Sequence, residues 1–280
     1  MTRHEWEAAA AATLRDCRAA LALRGSTIFQ QIAGLPRVAG AVDAAPGSPA
    51  IVEWRHYPEG EVYDPVTHAQ YFYHRHPTAP SGTGGAAEHG HFHLFLRGEG
   101  MPPGVTPVLP PELAVANPAA AAPPILRSAP LKRGGRDEVC HLVAIALDQH
   151  GEPIRLITTN RWVTGETWYQ AADVIRMVGR FRPSGDGSRG LLNRWLGALV
   201  VLFQPEIAAV LRDRDKTIME RRWRWRTNVL EDPRLEVTSS LDIDLDARLA
   251  AVEARAAEPA IASPVRRRIA LPPMEDGWGA

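Results

Sequence analysis

Ten consecutive residues, Glu88-His89-Gly90-His91-Phe92-His93-Leu94-Phe95-Leu96-Arg97, hold the densest group of chemically useful side chains in this chain of 280 residues. Side chains of a β-strand alternate between its two faces. As a strand, this stretch sends Gly90, Phe92, Leu94 and Leu96 to one face. His89, His91 and His93 go to the other, followed by Phe95 and Arg97. A second His-x-His lies just upstream, in Ala69-Gln70-Tyr71-Phe72-Tyr73-His74-Arg75-His76. If the two strands pair, five imidazoles share one patch of sheet.

Imidazole titrates near pH 6.5, so a packed group of rings cannot all be protonated without strong repulsion. The rings must be neutral, spread out, or gathered around a cation. Zinc and non-haem iron take neutral imidazole nitrogen at about 2.0–2.1 Å, and His-x-His on a strand puts two such ligands on one face. A third ligand from a neighbouring strand leaves an open coordination position, the arrangement of a catalytic centre. The expected ligands are drawn from His74, His76, His89, His91, His93 and His141, with a divalent Zn or Fe ion as cofactor. Glu88 is a further ligand or a general base. In Thr159-Asn160-Arg161-Trp162-Val163-Thr164-Gly165-Glu166, Arg161 is a candidate clamp for an anionic small-molecule substrate, with Glu166 beside it. The competing readings are a row of hydrogen-bonded or solvated histidines, a loop carboxylate at Glu88, and an Arg161–Glu166 pair that only pins its loop. A non-catalytic binding module would look the same.

Several elements must hold these residues in place. Residues 2–23 read as a helix: Thr2 can cap it, and Trp6, Ala10, Leu14, Cys17 and Leu21 fall at helical spacing. Residues 34–50 read as a connection, and 51–57 as a strand ended by a Pro58-Glu59-Gly60 turn. A Pro/Gly-rich loop, 77–87, joins the two histidine strands. Residues 138–147 are almost all apolar, the pattern of a strand buried on both faces. Asp148-Gln149-His150-Gly151 then turns the chain into a return strand from Pro153.

The spacing predicts a helix from about Thr167 to Phe181 and another from about Leu191 to Glu220, interrupted at Pro205. Arg222–Arg226 alternates Arg with Trp and reads as a strand with Trp223 and Trp225 inward. Leu241–Asp246 reads as a strand and residues 247–257 as a helix. The Pro/Ala-rich residues 98–136 read as a mobile insertion or lid within one domain spanning 1–258, and 259–280 as a flexible tail. The fold class is α+β: an antiparallel sheet with an N-terminal helix and C-terminal helices packed mainly on one face.

Composition narrows the classes. The chain is 45% hydrophobic and 23% charged, as ordinary globular proteins are. Lys+Arg and Asp+Glu both number 32, so no net field favours nucleic acid or an anionic membrane, and neither is an expected partner. Cys17 and Cys140 are too few for a disulfide framework and fit a reducing compartment. With neither a bilayer-length apolar run nor a signal-peptide pattern, a cytoplasmic, bacterial-type protein is the expectation.

Two resemblances follow from the motifs. His56-Tyr57-Pro58 with Asp64, Ala69–His74, Glu88–His93 and Thr159–Glu166 together resemble an uncharacterised bacterial family of unknown function, over about Val52 to Asp246. That resemblance implies no activity. Locally, His89-Gly90-His91-Phe92-His93-Leu94-Phe95 is similar to the histidine-triad motif. It implies nucleotide hydrolysis or transfer, with the middle histidine, here His91, attacking an α-phosphate. Gly90 departs from the apolar residue of that motif, and most of the chain follows the motif instead of preceding it.

Overall fold

The computed structural model describes residues 2–33, 51–76, 88–108, 138–185, 187, 189–225 and 228–257. Six strands form one antiparallel sheet in sequence order: β1 (Tyr57–Tyr63), β2 (Ala69–His74), β3 (Glu88–Arg97), β4 (Val139–Asp148), β5 (Pro153–Thr159) and β6 (Val237–Asp242). The helices are α1 (Arg3–Leu23), α2 (Ile28–Ala33), α3 (Arg161–Thr164), α4 (Ala171–Val178), α5 (Gly190–Leu202), α6 (Gln204–Trp225) and α7 (Leu245–Ala257). No single helix among the described residues is long and apolar enough to cross a membrane.

Local chemistry sets the helix starts. The Thr2 hydroxyl accepts from the Glu5 N–H while the Glu5 carboxylate accepts from the Thr2 N–H, a reciprocal cap that satisfies two otherwise orphaned donors. The buried stripe of α1, Ala10, Ala11, Leu14 and Cys17, packs on α5. The helical pattern through Pro205 resolves into two helices bent by 70° at Phe203, because a proline cannot continue the hydrogen-bond ladder.

The two faces of the sheet differ. Tyr71, Tyr73, Phe92, Leu94, Leu96, Val143, Ile145 and Leu156 share one core with residues of the helices, among them Leu14, Trp195 and Leu199. The other face carries Phe72, Phe95 and Val139 in one small group and Ala144, Ala146 and Ile157 in another. This is the α+β arrangement expected from the order of elements, and His74, His91 and His93 belong to the second face.

Four segments depart from the sequence reading; one is the strand expected at Leu241–Asp246, which lies earlier as β6, with Leu245 and Asp246 opening α7. The strand expected at 51–57 is an irregular segment with Trp54 at positive φ, and β1 instead runs through Pro58-Glu59-Gly60. Proline is tolerated there because β1 is an edge strand with one ladder to serve. The helix expected from Thr167 is shorter, starting at Ala171. The Arg/Trp alternation at 222–225 is the end of α6 and not a strand. Trp223 does not pack inward as expected but is 89% exposed. Alternation alone made it a strand, whereas the good helix formers preceding it carry the helix onward. The expected connection at 34–50, the loop at 77–87, residues 109–136 of the expected insertion and the tail at 259–280 lie outside the described residues.

Candidate metal centre

The strand register delivers the imidazoles. His74 on β2 stands directly opposite His91 on β3, and Phe72 opposite His93. Their Nε2 atoms converge. His74 and His91 are 2.8 Å apart, and His91 and His93 are 3.1 Å apart. His76, just beyond the end of β2, brings its Nε2 to 3.1 Å from that of His74. His74, His76 and His91 therefore bring ligand nitrogens to within 4.8 Å of one another on the sheet, and His93 adjoins them through its contact with His91.

Hydrogen bonding alone cannot account for this geometry. Each ring Nε2 has one directional site, either a hydrogen or a lone pair. Among the three contacts running His76–His74–His91–His93, at most two linear N–H···N bonds can be drawn. The His91 Nδ1 lies 2.6 Å from Glu88 Oε1. A carboxylate only accepts, so Nδ1 carries the hydrogen and the Nε2 of a neutral ring is a lone pair. Nε2 lone pairs gathered this closely are what a cation with bonds of about 2.0–2.1 Å requires.

Burial first, and then the neighbouring His91 and His76, hold His74 well below the ordinary imidazole range. Burial and then His91 act in the same direction on His93. His76 is also lowered, chiefly by burial, with Glu236 and Glu88 pulling the other way. These shifts all favour the neutral ring, the form in which imidazole binds a metal. Burial would raise Glu88, but its hydrogen bond to His91 and the nearby positive charge outweigh it and hold it ionised.

The other residues singled out from the sequence fall elsewhere. His89 does not join the cluster. β3 bulges between Glu88 and Gly90, so strict alternation fails and His89 turns to the helix side. There its Nδ1 lies 2.7 Å from Tyr73 Oη and its ring packs on Phe29 of α2. His141 does face the cluster, but not as a ligand: its Nε2 is 3.1 Å from the Nδ1 of His93, the nitrogen pointing away from the convergence. Arg161 is no open clamp, because its guanidinium is paired with Glu231. Glu166 is buried with one oxygen accepting the His141 backbone N–H at 2.7 Å and the other accepting from the Thr164 hydroxyl. Burial raises its pKa to about 7, with Arg214 opposing.

Sequence reasoning gave no role to His56 and Glu61. The His56 ring stacks on Phe72 with centroids 3.9 Å apart and lies 5.7 Å from the ring of His74. Its Nδ1 is 3.0 Å from Glu61 Oε1, while Glu61 Oε2 accepts from Gln70 and the Gln70 carbonyl accepts from Arg97. Glu61 reaches inward because β1 bulges between Tyr57 and Val62, with Gly60 and Glu61 both at positive φ. Pro58 and Gly60 look like a turn in sequence, which hides that register shift.

The family model for a domain of unknown function (DUF6969) matches residues 8–243, and the chain belongs to that family. No curated protein and no solved structure matches it.

Proposed function

Since membership of that family assigns no activity, the centre itself is the guide, and we propose that the protein is a metal-dependent enzyme. His74, His76 and His91, with His93 beside them, bind zinc or non-haem iron through Nε2 in a five- or six-coordinate arrangement that keeps a position open. The observation that carries this reading is the set of three Nε2···Nε2 contacts, which exceeds what hydrogen bonds among neutral rings can satisfy. An all-imidazole donor set suits Zn and Fe and is a poor match for oxygen-seeking Mg or Ca.

An enzyme, not a purely structural site, is favoured by the open side. The side chain of His91 is 13% exposed and that of Glu88 28%, so solvent reaches the cluster beside a carboxylate. Glu88 orients His91 and stands where it can exchange a proton with a bound water or substrate. A neutral ligand set leaves the full charge of the ion in place, which favours an anionic substrate. The histidine-triad reading needs His91 Nε2 free to attack phosphorus, yet two other imidazole nitrogens already crowd it.

The test is metal analysis by mass spectrometry of protein purified without a His-tag or chelator, after growth with Zn and Fe supplied. About one ion per chain is expected. Less than about 0.1 per chain would overturn the reading, because a site of ordinary protein affinity stays occupied through purification.

A further inference from the structure

β4 contains a second bulge whose effect is opposite to that of the first. Leu94 pairs with Val143, but Phe95 pairs with His141, so Leu142 is the extra residue. Ala144 and Ala146 lie on the histidine face. Strict alternation from them would place Leu142 on that face and turn His141 into the helix-side core. Instead Leu142 and Val143 both enter that core, and His141 stands behind His93.

The proton inventory there has one consistent solution. A ring that binds an ion through Nε2 carries its hydrogen on Nδ1. His93 is 1% exposed, so that hydrogen needs a protein acceptor. The His141 Nε2 is 3.1 Å away. If it accepts, the hydrogen of His141 sits on its Nδ1, which is 3.3 Å from Thr159 Oγ1. Thr159 ends β5, and the ring of His141 is further held against Phe95, with centroids 5.2 Å apart. Nδ1 of His91 meets Glu88 in the same way. Each of the two β3 ligands thus has its own acceptor, one anionic at the rim and one neutral in the interior.

The geometry points to His141 as a positioning residue: it holds His93 as the Nδ1–H tautomer and so turns the His93 Nε2 lone pair toward the ion, with Thr159 fixing His141 in turn. This rests on the metal-centre reading above. Removing such a partner of a ligating histidine lowers metal affinity by about 10–100-fold.

The experiment loads the metal-free full chain with Co²⁺, reading the visible ligand-field bands and the affinity by chelator competition. Wild type is expected to show a nitrogen-rich spectrum. His141→Leu, which keeps bulk but offers no acceptor, is expected to bind about 10–100-fold more weakly with shifted bands. His141→Gln restores an acceptor and is expected to recover most of the affinity and the wild-type bands, a rescue that a packing role would not give. Thr159→Val, which leaves His141 in place, is expected to weaken binding by a few-fold and covers the case in which His141→Leu does not fold.

Unchanged bands and affinity in both His141→Leu and Thr159→Val would overturn the proposal. So would a His141→Leu protein that loses binding as completely as His93→Ala, since His141 would then be a ligand. Failure of the underlying reading looks different: wild type itself would give no Co²⁺ bands, and the proposal would fall with it.

Discussion

The Cβ that Gly90 lacks would lie 2.4 Å from the backbone carbonyl oxygen of His74 and 2.7 Å from the hydroxyl of Tyr73. Only glycine lets β2 and β3 come this close where His74 and His91 meet. Gly90→Ala is expected to push the strands apart at that point and lower stability by about 1–3 kcal/mol, the usual range for overpacking. A shift of the urea midpoint, together with reduced metal content, checks this. An unchanged midpoint would show that the strands yield easily there.

The ligand assignment separates histidines by position. His91→Ala and His93→Ala are each expected to remove most bound metal, whereas His150→Ala, in the exposed turn between β4 and β5, should leave it unchanged. Glu88→Ala should weaken binding by about 10–100-fold through loss of the hydrogen-bond acceptor on His91. Metal-to-protein ratios in dialysed samples distinguish these outcomes, and retention of metal by His91→Ala would contradict the assignment.

Protons compete with the ion and also act on the metal-free fold. Burial, followed by Arg214, pushes His141 down to about 3; burial, followed by Arg75, pushes His89 down to about 4. In the unfolded chain both titrate near 6.5. Below that pH the unfolded chain takes up protons that the folded chain refuses, so stability falls as pH falls. The contribution is complete above about 6.5 and is lost progressively as pH drops toward the folded values, with a slope of about 1.4 kcal/mol per pH unit for each ring. His74 and His93 shift in the same direction and steepen the loss. Urea titrations of the metal-free protein at pH 7.5, 6.5 and 5.5 would measure it, and a flat profile would exclude it. His89→Phe should make the slope shallower.

Asp64 is expected to be a structural carboxylate away from the centre. Its Oδ2 accepts from the Ser184 N–H and hydroxyl, both at 2.6 Å, and its Oδ1 accepts from the N–H groups of Val66 and Thr67. These bonds outweigh the cost of burial and hold the carboxyl well below its usual range. Asp64→Ala should cost about 2–4 kcal/mol, since it leaves several donors unpaired, while leaving metal stoichiometry intact. Loss of metal without loss of stability would contradict this.

The site was legible in sequence wherever alternation held. Counting in twos puts His91 and His93 on one face of their strand, and the register sets His74 directly opposite His91. Counting failed at the bulges. The extra residue at Glu88–Gly90 reverses His89, and that at Leu142 admits His141. A bulge is a relation between two strands, so one strand read alone does not reveal it. His56 was hidden for the same reason, because the bulge in β1 that carries Glu61 to it looks like a turn. The long helices were legible because their caps and apolar stripes are local, as at Thr2 and Glu5.

His74 and His91 belong to neighbouring strands tied by their own ladder of hydrogen bonds, with His76 immediately after the first and His93 on the second. An ion at their meeting point would act as a rivet through two strands of the sheet. To leave, it would have to shed nitrogens fixed to paired backbones, and successive release would need the end of the β2–β3 ladder to open. Exchange of the ion with solution would then be timed by local opening of this corner and not by the intrinsic lability of a metal–imidazole bond. The metal would report, by how slowly it departs, on how rarely those two strands part.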